Sequence, residues 1–232
     1  SSSHLIIFSE YLNFVSKSLA IDVSLHLGSF LAVITFFYRD ILNFVKNKEL
    51  FLKIFVSSIP VMLIGFILVQ TNYIKNLRGI EIIGWTTLIF GILLYISDKY
   101  QLNKNIKKDF TFKTAVIIGF FQVLSLVPGV SRSGITITAA RLLNFNRYDA
   151  AKISFLLSIP TLGAVSIFGL KNIVTSEDLN FSIINLISIL FSFMFSLLTI
   201  KFFLKYIEKF NLNVFIFYRL ILGIVLLFLS YL

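Results

Sequence analysis

The chain has 232 residues, of which 57% are hydrophobic; it contains 27 Phe, no Cys, and a formal net charge of +10. Soluble domains run at about 45–50% apolar residues, so this composition excludes an ordinary soluble domain and indicates an integral membrane protein. The lack of cysteine excludes disulfides, thiol chemistry and cysteine metal sites. Nucleic acid is not the partner implied by the charge, because the basic residues fall in the turns between apolar segments, where positive-inside topology accounts for them.

Residues 1–14 open with Ser1-Ser2-Ser3-His4 and hold only a short apolar run, too short to span alone. There is no initiating Met and no signal-peptide pattern, so the chain reads as one whose first element lies upstream of Ser1. Six segments then reach the 17–25 residues or so that a bilayer core needs: about 19–38, 50–69, 79–96, 150–170, 183–203 and 214–232. The first carries Asp22 and His26 near its start. Residues 99–113, rich in Lys and Asn, read as a solvated linker.

The stretch from Val127 to Thr136, Val-Pro-Gly-Val-Ser-Arg-Ser-Gly-Ile-Thr, is polar sequence set inside apolar sequence. The apolar runs on either side, 115–126 and 137–143, are each too short to cross. Pro128 removes a backbone donor and Gly129 permits unusual dihedrals, so a helix should break here and a new one begin. Ser131, Arg132, Ser133 and Thr136 then gather one cation and three hydroxyls at the start of that helix, an arrangement suited to an anion such as phosphate. In lipid such a break has to be buried in protein or line a cavity.

Charge orients the chain. If 115–143 is a re-entrant hairpin, fifteen basic residues between Arg39 and Lys209 share one side, against Lys17, Lys75, Arg78 and Lys171 on the other. A true crossing at that place would weaken the contrast to eleven against eight, so the hairpin is expected and the rich side is cytoplasmic. Two basic residues are left over, Arg132 in the broken hairpin and Arg219 about six residues inside the last span. Arg219 either snorkels to the interface or faces a partner, a cavity or a ligand.

The two halves echo each other in opposite orientation. A short Ser-rich element precedes a spanning segment in each, which is the pattern of an inverted repeat with broken elements meeting near the midplane. The expected fold is therefore an all-α, polytopic membrane protein with six full transmembrane helices and re-entrant hairpins. Residues 1–98 form the first repeat, 114–232 the second, and 99–113 the cytoplasmic linker.

Pro128-Gly129-Val130-Ser131-Arg132-Ser133-Gly134 with Thr136 resembles the signature of the bacitracin-resistance family of undecaprenyl-diphosphate phosphatases. Gly119, Gln122, the run from Ser154 to Pro160, the run from Leu25 to Ser29, and Tyr218-Arg219 also fall in family order, so the resemblance covers essentially the whole chain. It implies hydrolysis of undecaprenyl diphosphate to the monophosphate and inorganic phosphate, which recycles the lipid carrier of cell-wall synthesis and confers bacitracin resistance. It further implies residence in the bacterial cytoplasmic membrane with the site facing outward, inhibition by bacitracin through sequestered substrate, and a homodimer.

By the same resemblance Ser1 is the nucleophile, His4 takes its proton, and Arg132 is the catalytic cation; water as nucleophile stays open. Gly129, Ser131, Arg132, Ser133, Thr136 and Arg219 bind the diphosphate, with His26 and Gln122 behind them. In the family the Ser-Ser-x-His segment follows a helix bearing Glu-x-x-x-Glu, and a Mg2+ or Ca2+ requirement would rest on those carboxylates, which this sequence does not contain. Two other readings stand beside the phosphatase: a polyprenyl-phosphate transporter with the same fold, and an inactive truncated homologue.

Overall fold

The computed structural model describes residues 4, 6–7, 19–46, 48–71, 77–99, 102–175 and 183–232, and among these the architecture is helical throughout. The helices run α1 (Leu19–Phe36), α2 (Tyr38–Lys46), α3 (Lys48–Gln70), α4 (Ile80–Asp98), α5 (Ile106–Asp109), α6 (Phe112–Val123), α7 (Arg132–Leu142), α8 (Arg147–Thr175), α9 (Ile183–Lys209) and α10 (Asn213–Tyr231). Five of them contain stretches long and apolar enough to cross a membrane: Lys48–Gln70, Ile80–Asp98, Arg147–Lys171, Ile183–Lys209 and Asn213–Tyr231. Their outer faces expose Phe66, Phe191, Phe195, Phe217 and Phe228. Apolar patches of that extent are at home only against lipid, and the protein is a multi-pass membrane protein.

The segment expected to make the first crossing is shorter than anticipated. Its 18 residues, Leu19–Phe36, cover about 27 Å at a rise of about 1.5 Å each, just under a typical hydrocarbon core. A turn at Phe37 leads at once into α2. The helix is held by small polar residues: Ser29 Oγ lies 3.0 Å from the hydroxyls of both Ser192 and Ser196 on α9. Ser192 in turn donates to the Leu25 carbonyl at 2.6 Å. Small residues let the two backbones approach, and each such bond contributes roughly 0.6 kcal/mol in a membrane.

Helices α6 and α7 form the expected hairpin. Thr111 and Thr114 make a capping box that starts α6, and a 3-10 turn at Leu124–Leu126 ends it. Gly119 on α6 packs so closely on the Ser57 backbone of α3 that a Cβ there would collide with it. Buried Ile118, Ile135, Ile153, Leu156 and Leu157 place α6, α7 and α8 at the centre of the core.

The stretch 99–113 exposes the lysines that its composition suggested as solvated, and it is also tied to the rest of the protein. Phe110 is 2% exposed, and Lys104 and Asn144 are joined by backbone hydrogen bonding, as are Asn146 and Lys104. Asp98 explains the tethering. Its carboxylate meets Arg147 Nε at 2.7 Å and Arg141 Nε at 3.3 Å, and accepts from the Leu212 N–H at 3.0 Å. One acid at the end of α4 thus fastens α7, α8 and α10. Arg141, which the charge pattern treated as an ordinary interfacial cation, is 1% exposed.

Candidate functional site

The break between α6 and α7 runs from Val127 to Ser131, and its backbone is unusual twice over. Gly129 has φ +93°, and Ser131, the N-cap of α7, has φ 65°. A Cβ at Gly129 would strike Thr86 Oγ1 and the Ile83 backbone of α4, so only glycine fits. Ser131 holds its strained conformation while its hydroxyl accepts from the Gly134 N–H at 3.3 Å. Strain of this kind at a non-glycine residue persists only where surrounding structure fixes it.

That structure is visible. A broken helix leaves carbonyls without partners, which in lipid is costly. Thr86 on α4 donates to the Pro128 carbonyl at 2.7 Å and Thr87 to the Gly129 carbonyl at 3.3 Å. Arg219 on α10 donates through Nη2 to the same Gly129 carbonyl at 3.0 Å and to the Thr87 carbonyl at 3.4 Å. Of the two readings open for Arg219, the buried one holds: it is 9% exposed and faces the break.

A cavity of about 230 Å³ opens beside this loop, with His4, Gly129, Ser131, Ser133, Tyr218 and Arg219 on its polar wall. Ile137, Phe203, Leu212 and Phe215 line the apolar remainder. His4 Nδ1 and Arg219 Nε are buried without a hydrogen-bond partner among the described residues. An anion, with several lone pairs, is the ligand that would satisfy the leftover Arg219 donor, while the His4 nitrogen donates or accepts according to its tautomer.

The other expected residues lie apart from this wall. Arg132 turns towards α8, where Nη1 donates to the Thr161 hydroxyl at 2.9 Å. His26 on α1 is half-buried and within electrostatic reach of Arg132. Thr136 is fully buried, its hydroxyl 2.7 Å from Ser154 Oγ and 2.9 Å from the Arg132 carbonyl oxygen. It therefore braces the first turn of α7 and does not line the cavity. Gln122 is also fully buried, and neither amide atom has a partner among the described residues. Ser1 lies outside the described residues.

Three contributors were given no site role by the sequence: Tyr218, Thr87 and Thr161. A tyrosine next to an arginine inside an apolar span was the one available signal for the first; the threonines look like any small polar helix residue. The described residues do not supply a ligand set for the divalent ion that the resemblance implies. Among them no three of His, Asp or Glu gather, and the groups around the break are cations and hydroxyls.

The family model described as bacitracin resistance protein BacA matches residues 1–225. The undecaprenyl-diphosphatase of Pelagibacter ubique (strain HTCC1062) is 50% identical over 233 residues, covering 100% of this chain and 90% of that protein. The undecaprenyl-diphosphatase of Chromohalobacter salexigens is 40% identical over 242 residues, covering 98% of this chain and 90% of that protein. A third, from Jannaschia sp. (strain CCS1), is 34% identical over 244 residues and covers 100% of this chain.

Proposed function

Because the chain belongs to the bacitracin resistance protein BacA family over residues 1–225, we propose that it is an undecaprenyl-diphosphatase. It hydrolyses undecaprenyl diphosphate to undecaprenyl phosphate and inorganic phosphate, returning the lipid carrier to peptidoglycan synthesis and so conferring bacitracin resistance. The observation that carries this reading is the buried break itself: Arg219, two serines and His4 meet around one cavity at the N-terminus of α7. A helix N-terminus and a desolvated guanidinium both stabilise the charge of a diphosphate and, more strongly, that of its transition state.

In this reading Arg219 and the serines hold the terminal phosphoryl group from one side. Arg132, which among the described residues uses only Nη1, on Thr161, offers the rest of its fork from the other. Ser1 Oγ attacks the terminal phosphorus while His4 takes its proton; the bond to the bridging oxygen breaks, and undecaprenyl phosphate leaves with that proton. Water then attacks the phosphoserine, gives a proton to the same imidazole, and inorganic phosphate departs as Ser1 Oγ regains it. Thr136 and Gln122 support the hairpin from behind, and His26 sits beside Arg132.

We place the protein in the bacterial cytoplasmic membrane with the site open to the outer side, where bacitracin acts on the same step by sequestering the substrate. The asymmetry of fifteen basic residues against four supports that orientation. The inverted repeat of 1–98 and 114–232 rests on the opposite orientation of the Ser-rich elements in the two halves of the sequence. Phosphate release from undecaprenyl diphosphate by the purified protein in detergent tests the function. Loss of release in both Arg132→Ala and Arg219→Ala is expected; full activity in both would overturn the reading.

A further inference from the structure

Tyr218 occupies the turn of α10 that also carries Arg219, and both line the cavity. His4 arrives from 214 residues earlier, and its Nε2 lies 2.5 Å from Tyr218 Oη. The two rings are nearly parallel, 5° between planes with centroids 6.0 Å apart. One imidazole nitrogen is therefore tied to a hydroxyl, while the other, Nδ1, is buried without a partner among the described residues.

A neutral imidazole carries a single N–H, and its partners decide which nitrogen holds it. Among the described residues lining the cavity, Arg219 carries the charge that bears on His4, and those from α4, the break, α7 and α9 are neutral. With Nε2 on the tyrosine hydroxyl, the tautomer protonated at Nε2 keeps a lone pair on Nδ1. A tyrosine hydroxyl can accept the remaining N–H.

We infer that Tyr218 is a positioning residue for the phosphatase reaction: its hydroxyl accepts from Nε2–H of His4 and so leaves Nδ1, the ring nitrogen without a partner among the described residues, as the proton acceptor. The inference rests on His4 acting as the base in the reaction above. When Nδ1 takes the nucleophile's proton, Nε2–H stays on Oη, and the bond becomes charge-assisted, roughly twice as strong as before. The hydroxyl thus stabilises the protonated ring more than the neutral one. A single turn of α10 supplies the cation for the phosphate and the anchor for the base.

Tyr218→Phe keeps the ring and deletes only Oη. In the purified protein hydrolysing undecaprenyl diphosphate, kcat is expected to fall about tenfold with KM within about twofold of wild type. The acid limb of the kcat profile should move to lower pH, because the imidazolium has lost the acceptor of its Nε2–H. In a His4→Gln background, which already lacks the base, Tyr218→Phe should change nothing further. An unmoved acid limb together with the same fold-loss in both backgrounds would overturn the inference and leave the function standing. Full turnover by His4→Gln itself would instead remove His4 as the base, and the role of Tyr218 with it.

Discussion

Arg219 Nη2 donates to the Gly129 carbonyl at 3.0 Å, across 90 residues of sequence. A cation on the last helix thereby shares with Thr87 the carbonyl exposed by the helix break, while its Nε has no hydrogen-bond partner among the described residues. The same guanidinium serves structure and ligand. Arg219→Lys should keep the carbonyl contact but lose the planar fork, lowering kcat/KM by about tenfold or more. Arg219→Ala should lose about 100-fold and melt earlier as well, because both jobs fail together. Phosphate release and thermal unfolding, measured on the same detergent preparations, separate the two effects.

Arg132→Lys is expected to lower turnover by about 100-fold with little change in melting temperature. A lysine can still reach the Thr161 hydroxyl that now accepts from Nη1, so folding is spared, but a point charge cannot clamp two phosphate oxygens. Near-wild-type phosphate release by this variant would take Arg132 out of the substrate's reach.

Gly129→Ala should destabilise the protein by about 2–4 kcal/mol. Its φ of +93° and the proximity of the Ile83 backbone and Thr86 act in the same direction. The loop would be pushed off α4, withdrawing the Gly129 carbonyl from Arg219. Thermal unfolding gives the cost, and a melting temperature equal to wild type would mean that α4 can yield.

Asp98→Ala should be the most damaging change far from the cavity. It leaves Arg141 and Arg147 without their carboxylate and the Leu212 N–H without its acceptor. Breaking a buried pair in this way costs about 3–5 kcal/mol. Asp98→Asn retains one oxygen for Leu212 and should fall between that variant and wild type. Melting curves check the order, which an interfacial, solvated acid would not produce.

The break itself was legible because Pro128-Gly129 and the cluster from Ser131 to Ser133 have no ordinary place inside apolar sequence. Thr136 shows the limit of such reading: four residues along α7 bring it back under the Arg132 carbonyl, so closeness in sequence put it in the cluster but the helix turned it to Ser154. Arg219 was legible as an anomaly but not in direction, since depth alone does not distinguish snorkelling from inward burial. Asp98 gave no signal, because an acid at the end of a span looks the same whether solvated or buried. The linker was legible on its solvated side alone. Lys and Asn dominate its composition, yet Ile106 and Phe110 dock on the core cluster, the latter buried within it.

The hairpin is fastened unevenly along its length. At one end the Asp98 carboxylate grips Arg141 and Arg147 with full charges; at the other, threonine hydroxyls and one guanidinium hold the turn by its carbonyls. One end is thus set by ion pairs and the other by neutral hydrogen bonds and close packing on α4. An anion that draws Arg219 away from Gly129 would still leave Thr86 and Thr87 holding the turn, so the loop keeps its place on α4 while the ligand binds.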